Sequence, residues 1–232
     1  CGTGQHSIEA ASRYKNSKVL AIDLSLSSLS YAKRKTEELN IKNIDYIQAD
    51  ILNLNKLDRQ FDIIESSGVL HHMDEPLVGW RVLKNCLKPG GLMKIALYSK
   101  LARQHIVKMR KEIGERGLGS CDAEMRSFRN MLMKSDKSYH KLTLSSPDLY
   151  TMSTLKDLLY HVKEHRFTLK QIQDYLSELE LKFCGFEDKT ITKKFIKTNS
   201  NNDLYNLNKW TEFEEDNPNT FSGMYQFWCQ KT

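Results

Sequence analysis

The chain has 232 residues, 40% of them hydrophobic and 28% charged, with a formal net charge of +6, which suits one large domain or a core domain carrying an insertion. No apolar run approaches the ~20 residues that span a bilayer, and no signal peptide is visible, so the expected setting is cytoplasmic with no membrane span. The basic residues are scattered and lack interleaved aromatics even at Lys33-Arg34-Lys35 and Lys193-Lys194, which argues for a solvated surface over a nucleic-acid footprint.

Cys1-Gly2-Thr3-Gly4-Gln5 opens the chain and reads as a tight glycine turn leading into a helix. Glycine in such a turn lets the backbone come close to a ligand, which a Cβ would prevent. The helix start behind it presents free N–H groups and a positive dipole end, suited to a carboxylate or phosphate. Such a turn normally hangs from a buried strand. None precedes it here and there is no initiator Met, so a truncated chain is expected, with its first strand in an upstream segment of the same polypeptide.

Residues 18–23 form a short apolar run ending in Asp23, the pattern of a strand buried on both faces. Residues 25–39 carry Leu26, Leu29, Ala32, Thr36 and Leu39 at helical spacing. Strands are predicted at 44–49, ending at Asp50, and at 61–65. Asp74-Glu75-Pro76 has the form of a helix start with an acid as cap, and Lys88-Pro-Gly-Gly91 is expected to end that helix. Residues 92–98 are a fourth strand. Strands alternating with helices predict right-handed βαβ units and a doubly wound parallel sheet.

The rhythm changes after Tyr98. Residues 99–180 read as an all-helical insertion, with one stripe at Ala102, Ile106, Met109 and Ile113 and another at Leu155, Leu158, Leu159 and Val162. Thr168 and Gln171 form a capping box ahead of a further helix. The polar stretch 134–148 is expected to be the flexible part. Strand character returns at 181–186 and 224–229, flanking a helix with Leu204, Leu207 and Trp210. The expected division is a cofactor-binding core at 1–98, a helical lid at 99–180, and the rest of the core at 181–232. The five cysteines are odd in number and contain no Cys-x-x-Cys, so reduced thiols are expected.

Acids and loops fall at the ends of successive predicted strands, the edge where open α/β sheets bind ligands. Asp23 lies 19 residues after Gly4, where an acid can grip ribose hydroxyls. Asp50 could accept from an adenine amine, with Ile51 and Leu52 flanking the ring. Ser66 and Ser67 follow Glu65. Together with Val69-Leu-His-His-Met73 and Leu87-Lys-Pro-Gly-Gly-Leu92, the chain resembles a class I S-adenosylmethionine-dependent methyltransferase over residues 1–98. The resemblance implies a Rossmann-like α/β sheet, mostly parallel with an antiparallel last strand, and S-adenosyl-L-methionine as cofactor. It further implies that Gly2, Thr3, Gly4 and Gln5 approach the methionine part, Asp23 holds the ribose with Leu24 against the adenine, Asp50 and Ile51 bind adenine, and Ser66 and Ser67 line the methionine end. A nicotinamide dehydrogenase would want glycine or alanine where Ser7 stands.

Methyl transfer needs a base only when the acceptor must lose a proton. His71, His72 and Tyr98 are the candidates, weighed against a merely loop-shaping role. His161 and His165, four apart on a predicted helix, read as a polar face near the substrate, with no metal expected. The Leu-His-His stretch resembles enzymes of small-molecule or lipid-like acceptors. The alternatives are an RNA methyltransferase and a non-catalytic methyltransferase-like binding module.

Overall fold

The computed structural model describes residues 1–161 and 163–232, and the chain divides into two units, Cys1–Gln60 and Phe61–Thr232. In the first, α1 (Gln5–Arg13), β1 (Val19–Asp23), α2 (Leu26–Glu38) and β2 (Ile44–Gln48) follow in order, then a 3-10 turn over Ile51–Lys56. β1 and β2 pair in parallel from Val19 opposite Ile44 to Asp23 opposite Gln48. The Ser25 side chain caps α2 by accepting the Ser28 N–H, so the helix starts where its stripe of Leu29, Ala32 and Thr36 can face inward. Thr36 Oγ1 and Tyr46 OH lie 2.7 Å apart and tie α2 to β2. The Asn43 amide donates to the carbonyls of Ala11, Tyr14 and Ser17, which closes the end of α1 against the start of β2.

The second unit contains β3 (Phe61–Ser67), β4 (Leu87–Leu97), β5 (Leu181–Phe186) and β6 (Tyr225–Lys231), in the sheet order β3-β4-β6-β5. β3 and β4 are parallel, and β6 runs antiparallel to both of its neighbours, as expected for the last strand. α3 (Pro76–Asn85) connects β3 to β4 and starts with Pro at its first turn. Its N-terminal acids do not cap it: Glu75 makes no side-chain cap, and Asp74 pairs with Lys163. Residues 88–91 do not terminate α3. They form an irregular opening of β4, where the register moves from Phe61 opposite Leu87 to Ile63 opposite Leu92. Gly91 is needed there because a Cβ would meet Leu87 Cγ at 2.8 Å and the Lys88 carbonyl at 2.9 Å.

Between β4 and β5 lie α4 (Gln104–Glu115), α5 (Asp122–Met133), α6 (Ser138–Leu144), α7 (Met152–Tyr160) and α8 (Leu169–Glu178). Ile106, Met109, Ile113, Phe128, Leu132 and Leu158 are among the side chains of one apolar core shared by α4, α5 and α7. Each such buried side chain contributes roughly 1.5–3 kcal/mol of transfer free energy. Val162, assigned to the second stripe, lies outside the described residues. The stretch 134–148, expected to be flexible, instead holds α6, and its His140 and Thr143 are buried. The capping box at Thr168 and Gln171 forms as predicted. α9 (Lys189–Phe195) was not anticipated; it is capped by Asp188 and stacks Phe195 on Trp210 of α10 (Leu207–Asp216), with ring centroids 3.8 Å apart. All five cysteines are free. Among the described residues, no helix is long and apolar enough to cross a membrane.

Candidate functional site

In the first unit the glycine turn and Asp23 come together. Asp23 Oδ2 accepts the Gly2 N–H at 2.7 Å and also the Cys1 nitrogen at 3.1 Å, while Oδ1 accepts the Ser25 N–H at 2.9 Å. Burial alone would push this carboxyl up; the N–H groups of Ser25 and Gly2 and the Cys1 nitrogen outweigh it and hold the pKa below its ordinary value. Asp23 is therefore an anion that shapes the turn from the end of β1.

Gly4 caps α1 at φ 90° and packs so tightly on α2 that a Cβ would sit 2.6 Å from Ala32 Cβ. Gly2 also has positive φ, at 53°, but a Cβ there would meet nothing within 4 Å. One glycine is required by the fold, and the other leaves open space beside the backbone. Thr3 and Gln5 are exposed, and the first-turn N–H groups of α1 have no intrahelical partner, by helix geometry.

The adenine candidates lie on the same unit. Leu24, directly after Asp23, is 67% exposed, and Leu52 is also exposed, both apolar side chains without cover. Asp50 caps the turn that follows it, with Oδ1 accepting the Leu52 N–H at 2.9 Å. Ile51 is half-buried at the start of that turn. The chemistry fits an adenosine: a carboxylate for the ribose, an acid for an exocyclic amine, and exposed leucines for a flat ring. Gly2 leaves the room that a closely approaching ligand needs.

Ser66 and Ser67 belong to the second unit, at the end of β3. Ser66 is buried and its hydroxyl has no hydrogen-bond partner, while Ser67 is half-buried.

His71 and His72 follow in a 3-10 turn, Leu70–His72, and Tyr98 directly follows β4, so all three stand at the carboxyl ends of parallel strands. The His71 ring lies 4.2 Å from that of Tyr98 and 4.3 Å from that of His72. His71 is fully buried, and its ring has no hydrogen-bond partner beyond the Ala96 carbonyl that acts on it. Burial, reinforced by the neighbouring His72, drives its pKa down to about 3. His71 is thus a neutral imidazole at physiological pH and too weak a base to take a proton from an ordinary hydroxyl. Burial also lowers the pKa of His72, whose Nδ1 donates to the Lys163 carbonyl at 2.8 Å. Burial raises that of Tyr98.

His161 and His165 do not share a helix face as expected. α7 ends at Tyr160, and the segment beyond it leaves the helix to join the end of β4 through a parallel bridge between Ser99 and Phe167. His161 stacks on His72 with centroids 3.8 Å apart, and the His165 N–H donates to the His71 carbonyl.

Sequence reasoning missed the charged residues beneath this cluster. Arg103 Nε and Nη2 grip Glu164 at 3.2 and 2.9 Å, and Arg110 Nη2 reaches the same carboxylate at 2.8 Å. The Glu164 side chain is 2% exposed. Burial works to raise its pKa, but the two guanidinium groups hold it below the ordinary value. The Arg103 guanidinium lies 3.5 Å over the Tyr98 ring. The seven-residue spacing of Arg103 and Arg110 was a usable signal, since it marks one side of α4.

A family model described as a methyltransferase domain matches residues 1–91. An uncharacterized protein of Synechococcus is 25% identical over 202 residues, covering 82% of this chain and 47% of that protein. A demethylmenaquinone methyltransferase of Staphylococcus haemolyticus is 24% identical over 194 residues, covering 83% of this chain and 76% of that enzyme. The structure of PKMT2 from Rickettsia typhi in complex with AdoHcy superposes with a TM-score of 0.67 at 18% identity, over 99% of this chain and 46% of that one, a likeness of fold. The chain thus spans about half the length of the Synechococcus relative and of PKMT2. With the glycine turn and the strand-end acids in place, residues 1–91 are similar to the methyltransferase domain of class I S-adenosylmethionine-dependent methyltransferases.

Proposed function

We propose that the protein transfers the methyl group of S-adenosylmethionine to a small-molecule or lipid-like acceptor. The observation that carries the cofactor half is the Asp23 carboxylate, held as an anion against the Gly2 N–H, with open space at Gly2 and an exposed Leu24 beside it. Gly2, Thr3, Gly4 and Gln5 would then meet the methionine part, Asp23 and Leu24 the ribose and adenine, and Asp50 and Ile51 the far edge of the base. Ser66 and Ser67, in the second unit, are further candidates for contact with the cofactor. The bound cofactor supplies an electrophilic sulfonium methyl, and the protein contributes orientation and exclusion of water.

The acceptor half rests on two supports. One is the name of the Staphylococcus haemolyticus relative, a demethylmenaquinone methyltransferase. The other is the aromatic cluster of His71, His72, His161 and Tyr98, in which the half-buried rings of His72, His161 and Tyr98 could stack on a flat organic molecule. Residues 99–180 are assigned the role of covering that acceptor.

The test is a thermal melt with each candidate cofactor. S-adenosylmethionine or its demethylated product should raise Tm, by an amount set by its concentration relative to Kd, and NAD should not. A shift with NAD alone would sink the assignment. Labelled methyl donor, incubated with a lipid and small-molecule extract, then reads the acceptor; label appearing in RNA would favour the alternative.

A further inference from the structure

Two guanidinium groups, Arg103 and Arg110, share one buried carboxylate, Glu164. Three titratable rings packed around them are shifted toward their neutral forms: His71 and His72 because burial lowers their pKa values, Tyr98 because burial raises its own. Asp148 and Asp157 act on Tyr98 through space, but both are exposed to solvent. The cluster therefore carries one positive charge more than it can neutralise internally. A buried charge without its counter-ion is costly.

The same place holds a second oddity. Nε2 of His165 is buried with no hydrogen-bond partner, and the fully buried His71 ring has none beyond the Ala96 carbonyl that acts on it. Buried polar atoms are nearly always bonded, so a group of them beside an excess charge points to a polar ligand. Glu164 occupies the Nε and Nη2 donors of Arg103.

We propose that the methyl acceptor is an anion at the reacting atom, an aromatic phenolate or enolate, held by Arg103 and Arg110 and hydrogen-bonded by His71. This rests on the acceptor reading above and gives it a chemical class. The acceptor loses its proton to solvent on binding, because the guanidinium charge stabilises its anion. The oxygen lone pair then forms the new bond to the methyl carbon as the carbon–sulfur bond breaks. The bonding pair stays on sulfur, so no proton moves in the transfer step.

The test uses 4-nitrophenol, a phenol that ionises near neutrality and absorbs in the visible only as its anion. Titrated on the full chain without any methyl donor, the bound probe should ionise about one pKa unit or more below its value in water. Nuclear Overhauser contacts should place it on the His71 ring. Arg103→Met should abolish the shift. Glu164→Gln, which frees both arginines from their carboxylate, should deepen it, an effect that a purely structural role would not produce. If Arg103→Met fails to fold, the native shift and the Glu164→Gln response still decide the matter. An unshifted bound probe, no binding at millimolar concentration, or a shallower shift in Glu164→Gln would overturn the proposal. Because no cofactor takes part, failure here leaves the cofactor-dependent melt standing, and the reverse also holds.

Discussion

Oδ2 of Asp23 accepts the Gly2 N–H at 2.7 Å, across 21 positions of sequence. The acid at the end of β1 thus holds the glycine turn in shape and remains charged while doing so. Asp23→Ala should weaken S-adenosylmethionine binding by on the order of 2 kcal/mol or more, as for a lost charge-assisted hydrogen bond. Calorimetry finding an unchanged Kd would place the ribose elsewhere.

The two glycines of the turn should separate stability from binding. Gly4→Ala drives a Cβ into Ala32 at 2.6 Å and strains a residue at φ 90°, so a loss of about 1–3 kcal/mol is expected. Gly2→Ala meets no atom of the protein, and its penalty is confined to the φ of 53°. Denaturant melts should show Gly4→Ala as the more destabilised variant. Calorimetry should show that Gly2→Ala loses cofactor affinity beyond its effect on stability.

A pH effect is expected from Glu112. Its Oε2 accepts from Tyr139 OH at 2.7 Å and from His140 Nε2 at 2.8 Å, and Oε1 accepts from Arg116. A carboxylate only accepts, so His140 Nε2 donates to Glu112, and His140 Nδ1 lies 2.7 Å from the Ser135 hydroxyl. Burial pushes the Glu112 pKa up, but the bonds from Tyr139, His140, Arg116 and Lys137 prevail and bring it to about 2, from an ordinary 4.5. The folded pKa is depressed, so its stabilisation is full above the unfolded value and is lost as pH falls through the folded one. Tm should decline between about pH 4.5 and 2, and Glu112→Gln should flatten that decline while costing about 1–3 kcal/mol at neutral pH.

The helices of residues 99–180 can be loosened without touching the glycine turn. Leu158 is buried in their shared core, and Leu158→Ala should cost about 2–5 kcal/mol. If these helices cover the acceptor, the variant should lose methyl transfer while keeping a cofactor-induced rise in Tm. Full activity on the native acceptor would recast the helices as a surface for docking a partner.

The strand-helix alternation was legible because parallel strands are short continuous apolar runs, as at β1 and β4, although only Ala21 of β1 is buried, and because caps such as Ser25 and Thr168 announce helices locally. Residues 88–91 misled because proline and two glycines mark a bulge as readily as a helix stop. α9 was hidden by its polarity, with a single buried anchor in Phe195. Asp23, Asp50 and Ser66, proposed for the cofactor, stand at or just beyond strand ends, and that placement was readable as a pattern. Glu164 was not: a glutamate directly after a lysine looks solvated, and only the fold shows two arginines closing over it.

β6 lies between β4 and β5, and Met93 pairs with Cys229 across 136 positions of sequence. During synthesis, β3, β4 and β5 all leave the ribosome while the slot between β4 and β5 is still empty. The apolar edge of β4 waits there for residues 225–231, and pairing over so long a span is slow. A nascent chain stalled after α10 would present that edge to other stalled copies, the situation in which folding intermediates aggregate. Yield of this protein should therefore depend on how quickly its final strand follows and on chaperones that shield β4 until it does.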